Sequence, residues 1–496
     1  MAAARPPTAT ELPAPASDMA ESARSLAEQA FESPLGLLAR KVPIGVPAHT
    51  PLSQALAMMQ DRGVGSLLVL DDAGAALGIL TRGDVVGRIT LPQLPLSTPI
   101  SQVMSSPVST LTVHHTLDDA ALLMARQGIR HVPLTDEGRV VGLLSEHDVA
   151  AMQRTTLQHV STTIRAARDV GALGAAAHDI RRFARSLLKQ GVGARQLTQL
   201  ISHLNDVLTE HLVQMLAAQL GLDLERACWL AFGSEGRSEQ TIATDQDNGL
   251  VFDSDDPPRD RARWLALGQR VNEVLHACGY PLCKGHVMAG NPTCCLTAAE
   301  WCERFAGWID HGAPDDLLQA SIYFDFRAVA GRHELARGMR ELVTRQAASQ
   351  PRFTKQMADN ALRNRAPLNW RGAIETQPVG GRAMLDLKFH GATIFVDGAR
   401  LYALARGVAH TGTRERFEAL AQLLEVPLHE SQAWVGGFEY LQTLRLQAQM
   451  ARDPAAPGNP NLIELDALND IERRMLKESL RVARRLQQRM ELDYQR

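Results

Sequence analysis

Nowhere in these 496 residues is there an apolar run of the kind that crosses a bilayer, which takes about 18 residues, so no membrane partner and a cytoplasmic location are the expectations. Charge of one sign is lacking too. Lys and Arg number 52 against 55 Asp and Glu, a formal net charge of −3, so the whole molecule has no attraction for nucleic acid or an anionic membrane. Aromatics make up 5% of residues. No basic patch with interleaved aromatics is apparent, which argues against a nucleic-acid partner and against polymerisation or ligation. Cysteine is scarce: Cys228, Cys278, Cys283, Cys294, Cys295 and Cys302 are all there are. They contain no C-x-x-C, and adjacent Cys294 and Cys295 cannot easily turn both thiolates to one zinc. Reduced, packed thiols are the expectation. Residues 1–34 open with MAAARPPTATELPAPASDMA. They are Ala/Pro-rich without an apolar h-region and read as a disordered tail, not a signal peptide.

What is present begins with a duplication. HTPLSQALAMMQDRGVGSLLVLDDAGAALGILTRGDVV aligns with HHTLDDAALLMARQGIRHVPLTDEGRVVGLLSEHDVA. Each copy reads as helix, strand, turn, strand, helix. Gly63 and Gly128 suit helix C-caps. Both copies end in Gly-apolar-apolar-Thr/Ser-x-x-Asp-apolar, as GILTRGDV and GLLSEHDV. Thr81, Asp84, Ser145 and Asp148 thereby become candidates for phosphate and ribose contacts, since a hydroxyl at a helix start with free N–H groups binds phosphate. The same four residues also suit plain N-caps with an N3 partner. The duplication resembles a CBS (cystathionine-β-synthase-type) domain pair over 35–154, and that resemblance implies an adenosine nucleotide as effector and a homodimer.

Residues 155–222 carry only helical periodicity and read as a helical connector. The next stretch, GSEGRSEQTIATDQDNGLVF (233–252), follows the apolar run CWLAF. Residues 228–232 read as a buried strand, SEGRSEQTI as the start of a short helix, and TDQDNGLVF as a second strand. Gly233, Ser234 and Arg237 would then receive phosphate at a helix N-terminus, and Lys284 could reach a triphosphate. Asp245 and Asp247, two apart on a strand, share one face. Two carboxylates that close disfavour each other's charge unless a cation lies between them, and oxygen ligands suit Mg²⁺.

Gly-Ser, ten residues, then Asp-x-Asp resembles the DNA polymerase β-like nucleotidyltransferases. The longer form GSEGRSEQTIATDQDNGL, with VMAGNP, IYFDFRAVAG and LDLKFHGATIFVDGARLYAL further on, resembles a bacterial family that joins CBS pairs to a core related to PII uridylyltransferase and to a C-terminal helical substrate-binding domain. The fold class implied is α+β multidomain: tandem CBS α/β pair, helical connector, nucleotidyltransferase α/β core over 223–305, and a helical domain over 306–496. The function implied is transfer of NMP from an NTP substrate to a protein or small-molecule acceptor, with two Mg²⁺ held by Asp245 and Asp247. The superfamily's usual third carboxylate is missing from PLCKGHVMA (281–289), read as its strand. Asp325 is another candidate, or a structural ion pair with Arg327. A catalytically inactive nucleotide-binding regulator is therefore the alternative. Lys388 is expected to face the site. Glu239 is expected to complement a helix dipole, and Asn248 to satisfy a nearby turn or backbone group.

Overall fold

A computed structural model describes residues 35–38, 43–452 and 458–494; the tail expected at 1–34 lies outside them. The architecture is α+β and multidomain. Two compact units are present: residues up to Thr163 with Lys189–Gly191, and Ile164–Leu188 with Val192 onward.

The first unit holds the two repeats. Copy one runs β1 (Gly45–Pro47), α1 (Leu52–Asp61), β2 (Ser66–Leu70) and β3 (Ala76–Thr81). Copy two runs β4 (Leu111–Thr112), α2 (Leu117–Gln127), β5 (His131–Asp136) and β6 (Arg139–Ser145), and α3 (Glu146–Ala166) follows. Each copy gains a short leading strand that periodicity did not announce, paired parallel to the second strand. The hairpins are antiparallel, with Leu68 opposite Ile79 and Leu134 opposite Gly142. Gly63 (φ +61°) and Gly128 (φ +63°) close their helices in the left-handed region, where a side chain would be strained. In the first hairpin turn the Asp71 carboxylate accepts from Ala73 and Ala75 N–H at 3.0 and 2.8 Å, which is how an Asx turn substitutes for backbone pairing. Leu52, Ala55 and Met59 of α1 are buried against Leu67, Val69 and Leu80.

The second unit starts with α4 (Val170–Lys189) and α5 (Ala194–Gln219). This stretch was expected to be a separate connector, but α5 packs on the strands and helices of the core. Its inner face mixes Leu197, Ile201, Leu204, Leu208 and Leu212 with buried Ser202 and Asn205. Asn205 Oδ1 accepts from Tyr280 Oη at 2.7 Å, its Nδ2 donates to Gln240 Oε1 at 3.2 Å, and Ser202 Oγ accepts from Gln240 N at 3.1 Å. Those bonds satisfy groups whose burial would otherwise oppose packing.

β7 (Ala227–Ala231), β8 (Asn248–Phe252), α6 (Pro257–Ala277), β9 (Cys295–Thr297), α7 (Ala298–His311), α8 (Pro314–Tyr323) and β10 (Arg327–Gly331) come next. The sheet order is β10-β7-β8-β9, with β8–β9 the parallel pair. Every residue of β7 and β8 is buried, which is why both read as unbroken apolar runs. Phe232, Trp301 and Tyr323 cluster behind them, with ring centroids 4.9–5.8 Å apart. The remainder is α9 (His333–Ala348), α10 (Pro351–Ala361), β11 (Gln377–Val379), β12 (Arg382–Asp386), α11 (Thr393–Ala405), α12 (Thr413–Leu423), α13 (Leu428–Ala451), β13 (Leu462–Glu464) and α14 (Asp470–Tyr494). A π-type turn, Lys388–Ala392, leads into α11. The cysteines are free thiols, five of them buried.

Candidate functional site

β7 ends at Ala231, and two residues later the chain reverses through Gly233 at φ +55°. A Cβ on Gly233 would stand 3.0 Å from Asp247 Oδ2, and one on Gly236 would stand 1.8 Å from the Asp325 carbonyl oxygen. Both glycines are therefore demanded by close approach. The helix expected from SEGRSEQTI is a single turn, Gly233–Gly236, so no long helix dipole points at this spot. What the turn offers is backbone N–H groups and the half-buried Ser234 hydroxyl.

Asp245 and Asp247 were expected on the second strand. They precede it: β8 begins at Asn248, and the two acids lie on the segment leading into it, outside any regular element. Asp247 still holds the sheet, its carbonyl accepting from Phe232 N at 2.8 Å. Between them Gln246 is buried and turned inward. Its Nε2 donates to Asn272 O (3.1 Å) and Tyr280 O (2.9 Å), its Oε1 accepts from Asn272 Nδ2 (2.9 Å), and its N–H donates to Pro281 O at 3.0 Å. In extended backbone, neighbours alternate sides. An anchored Gln246 therefore sends Asp245 and Asp247 the other way; the partners that anchor it were not named from the sequence.

Burial, then the adjacent Asp245 carboxylate, pushes the Asp247 carboxyl up to about 7; a hydrogen bond from Cys283 and the charges of Lys388 and Arg237 act against that rise. Neither acid has an ion pair among those found in the described residues. Two half-buried carboxylates that repel each other suit a divalent cation. No group of three or more His, Cys, Asp or Glu that could hold a metal occurs among the described residues, so other positions on such a cation would fall to substrate phosphate and water.

Around this pair, several expected roles change. Residues 281–289 form a turn-rich loop, not a strand, with His286 at φ +57°; Lys284 is exposed on it. Asn248 Oδ1 clamps the loop by accepting from Ala289 N and Asn272 Nδ2, both at 2.9 Å. Arg237, expected to bind phosphate, is turned inward: Nε pairs with Glu239 at 2.7 Å and Nη1 with Asp325 at 2.8 Å. Glu239 does complement a helix N-terminus, but that of α12, accepting from Thr413 N at 2.6 Å. Asp325 is paired with Arg237, Arg400 and Arg416 and not with Arg327, while Arg327 grips Asp206 at 2.9 Å. Asp325 is thus held in a knot of arginines and is no third metal ligand. Glu235 was overlooked. It is buried beside Asp206, Arg327 and Asp247, and burial first, then Asp206, pushes its carboxyl up to about 8. Its place inside the turn makes it a prop beneath the loop.

In the first unit, Thr81 and Asp84 bond to each other, Oγ1 to Oδ2 at 2.7 Å, and each also binds the other's N–H. Ser145 and Asp148 repeat this, with Oγ to Oδ2 at 2.5 Å. Asp84 also meets Arg88 and Ser105, both at 3.3 Å. Both pairs are therefore reciprocal capping boxes at helix starts.

Gln246→Leu is expected to lower stability by about 2–3 kcal/mol, because it strands buried partners of the amide. Asp245→Asn, which disturbs none of those partners, is expected to stay within about 0.5 kcal/mol of the wild type. Urea unfolding of the full chain measures both.

Comparison with known proteins gives three matches along the chain. Residues 37–90 and 100–153 match the CBS domain. Residues 178–315 match the family described as "Putative nucleotidyltransferase DUF294". Residues 351–494 match "Putative nucleotidyltransferase substrate binding domain". The CBS domain-containing protein YhcV of Bacillus subtilis is 32% identical over 108 residues, which is 22% of this chain and 76% of that protein. The uncharacterized protein MK0525 of Methanopyrus kandleri is 28% identical over 116 residues, 23% of this chain and 59% of that one. Among solved structures, an uncharacterized conserved protein from Pyrococcus horikoshii is 29% identical, covering 25% of this chain and 94% of that chain at a TM-score of 0.24. No helix among the described residues is long and apolar enough to cross a membrane. With these segments following one another in that order, the chain belongs to the family described as "Putative nucleotidyltransferase DUF294", here joined to a CBS domain pair.

Proposed function

We propose that the protein transfers NMP from an NTP to a hydroxyl of a protein or small-molecule acceptor, in the manner of PII uridylyltransferase, and that adenosine nucleotides at the CBS pair regulate it as a homodimer. The observation that carries the reading is the carboxylate pair: Asp245 and Asp247 lie close enough for one to raise the proton affinity of the other, with Gly233 backbone against Asp247. In the reaction, the acceptor oxygen forms a bond to the α-phosphorus, the bond from that phosphorus to the bridging oxygen breaks, and pyrophosphate leaves. The acceptor's proton passes to solvent. Mg²⁺ held by Asp245 and Asp247 would supply charge neutralisation for attacking and leaving oxygens. Gly233 and Ser234 contribute backbone and hydroxyl contacts to phosphate, Lys388 adds positive charge beside Asp247, and Lys284 is an exposed cation on the neighbouring loop. Arg237 acts one step back, holding the turn to Asp325. Thr81, Asp84, Ser145 and Asp148 are the proposed effector contacts, supported by their place at a helix start in both copies; a bound nucleotide would have to displace their capping-box bonds.

A second reading, a nucleotide-binding regulator without turnover, is favoured by one observation: loop 281–289 brings no carboxylate to the pair. The experiment is transfer of α-labelled ATP, GTP, CTP and UTP into an extract of the native organism with Mg²⁺, with and without AMP or ATP as effector. Label in an acceptor supports the enzyme. Metal-dependent NTP binding without label supports the regulator, and absence of any NTP binding removes both.

A further inference from the structure

Trp370 is 84% exposed, whereas Trp229, Trp264, Trp301 and Trp434 are at most 4% exposed. It does not hang on a loose loop. It sits at the tip of a turn between α10 and β11, closed by the Leu368–Ile374 bridge. Asn369 N–H donates to Ala373 O at 2.9 Å, and Gly372 N–H, at φ +74°, donates to Asn369 O at 3.0 Å. Asn369 Oδ1 accepts from the N–H groups of Arg371 and Ala373, both at 2.9 Å, which makes the tip an Asx turn. From α14, Arg484 donates to the carbonyls of Leu368 and Asn369, and Gln487 Oε1 accepts from Ala366 N at 3.0 Å. A large ring is thus held in solvent by backbone fixed from both sides. An anchor presented this way loses little freedom when a partner covers it.

The surroundings are basic. The Arg371 guanidinium carbon lies 4.3 Å from the Trp370 ring centre, and Arg481 stands beside the turn, 3.7 Å from where a Cβ on Gly372 would be. On α14, Arg474, Glu478, Arg481 and Arg485 follow one another at helical spacing and share a face. Ile471 and Met475, 70% and 48% exposed, lie at its N-terminal end. Glu478 is spent on Arg481. Among the described residues no ion pair holds Arg371, Arg474 or Arg485. Glu375, the acid on the turn's own segment, lies past the Leu368–Ile374 bridge, away from the tip.

We propose that this surface docks an acidic segment of a partner protein. An apolar residue of that segment covers the free face of Trp370, and its carboxylates meet Arg371, Arg481 and Arg485. Tryptophan and arginine are the residue types that carry most binding energy at protein interfaces, and a positive patch selects an acidic partner. A second copy of this chain fits less well, since a two-fold interface sets a patch against itself, here basic against basic. Nucleic acid fits less well too. It needs rings in succession to stack its bases, and this face offers one ring with Arg371 already over it. Docking here requires nothing of the carboxylate pair, so it stands or falls apart from nucleotidyl transfer.

The test uses the full chain and two labelled probes, a short peptide of Glu, Asp and Leu and an oligo(dT) of the same length. Each is titrated into the wild type, Trp370→Ala, Trp370→Phe and Arg474→Ala/Arg485→Ala. All three positions face solvent, so the variants keep the wild-type melting temperature, which is checked first. Expected is peptide binding that weakens with salt, is at least about tenfold weaker in Trp370→Ala, the loss of a hot-spot anchor, is weaker in the arginine variant, and is largely kept in Trp370→Phe. Binding should also shift tryptophan emission to the blue in the wild type and not in Trp370→Ala, because the other tryptophans are already covered. A wild type that ignores the peptide overturns the proposal, as does equal binding by all the variants. Tighter binding of oligo(dT) than of the peptide overturns it in favour of nucleic acid. A dimer in sedimentation that Trp370→Ala dissociates overturns it in favour of a second copy.

Discussion

Asp325→Asn is expected to destabilise the second unit by about 3–5 kcal/mol, the range for removing one partner of a buried ion pair. Asp325 is fully buried. Arg400 reaches its Oδ2 through Nη2 at 2.6 Å and Nε at 3.0 Å, and Arg237 reaches the same oxygen at 2.8 Å. Arg416 Nη2 stands 2.7 Å from Oδ1, close but not aligned as a hydrogen bond. Behind the knot, Arg340 lies 3.8 Å from the Phe326 ring centre and donates to the carbonyls of Phe324 and Phe326, fixing the backbone on either side of Asp325. Burial alone would push the Asp325 carboxyl up. The charges of Arg400, Arg416 and Arg237 outweigh it and hold the group well below the usual carboxylate range. A folded-state proton affinity depressed below the unfolded one gives stability that is complete above the ordinary carboxylate range and is lost as pH falls through and below it. Urea unfolding between neutral and acid pH should therefore show a wild-type decline that Asp325→Asn flattens. An asparagine leaves buried guanidinium charge uncompensated, so Arg416→Met added to Asp325→Asn should recover part of the loss, a coupling that a double-mutant cycle reads directly. Additive losses would show that the arginines are satisfied without Asp325.

The contrast between what was legible and what was not follows sequence distance. The first unit was readable because its signals are local and repeated: helical spacing in LSQALAMMQD, Gly63 and Gly128 where the chain must turn left-handed, and the DDAG and DEG turns between paired strands. β7 and β8 were readable as unbroken apolar runs, and the Gly-Ser turn as a break between them. The leading strands β1 and β4, three and two residues long, carry too little periodicity to announce themselves. Placing Asp245 and Asp247 on the strand failed, by three residues and by one, because the ladder begins where Asn248 pairs with Ala231, a fact of pairing and not of propensity. Reading 281–289 as a strand failed at Gly285 and left-handed His286, which turn the chain before any ladder forms. The long connections were beyond reach. Arg237 meets Asp325 88 positions away, and Glu239 meets Thr413 174 positions away. An arginine three residues past a Gly-Ser pair looks free for phosphate until the chain folds a carboxylate against it. Gln246 was legible in principle: a polar residue between two acids on one extended stretch must face the opposite way.

Asp247→Asn is expected to move function and stability in opposite directions. In metal-free buffer the aspartate is half-buried beside Asp245 without an ion pair to offset it, and its carboxyl is pushed up by that burial and that neighbour. A neutral amide of the same shape removes both penalties and still accepts the Cys283 hydrogen bond. The melting temperature should rise by about 1–2 °C, what roughly 1 kcal/mol produces in a unit of this size. Under the same substitution Mg²⁺-dependent transfer should fall by about 100-fold or more, since a bound cation contributes several kcal/mol to phosphoryl chemistry. A structural aspartate gives the reverse pattern: replacing it weakens the fold, as expected for Asp325. Calorimetric melting in EDTA, paired with transfer or NTP-binding assays in Mg²⁺, separates the two cases. If Asp247→Asn melts lower than the wild type, the acid is holding the loop together and the cation-binding assignment fails. If it melts higher and loses metal-dependent nucleotide binding, the repulsion between Asp245 and Asp247 is retained for the cation it attracts, because no gain in folding accounts for it.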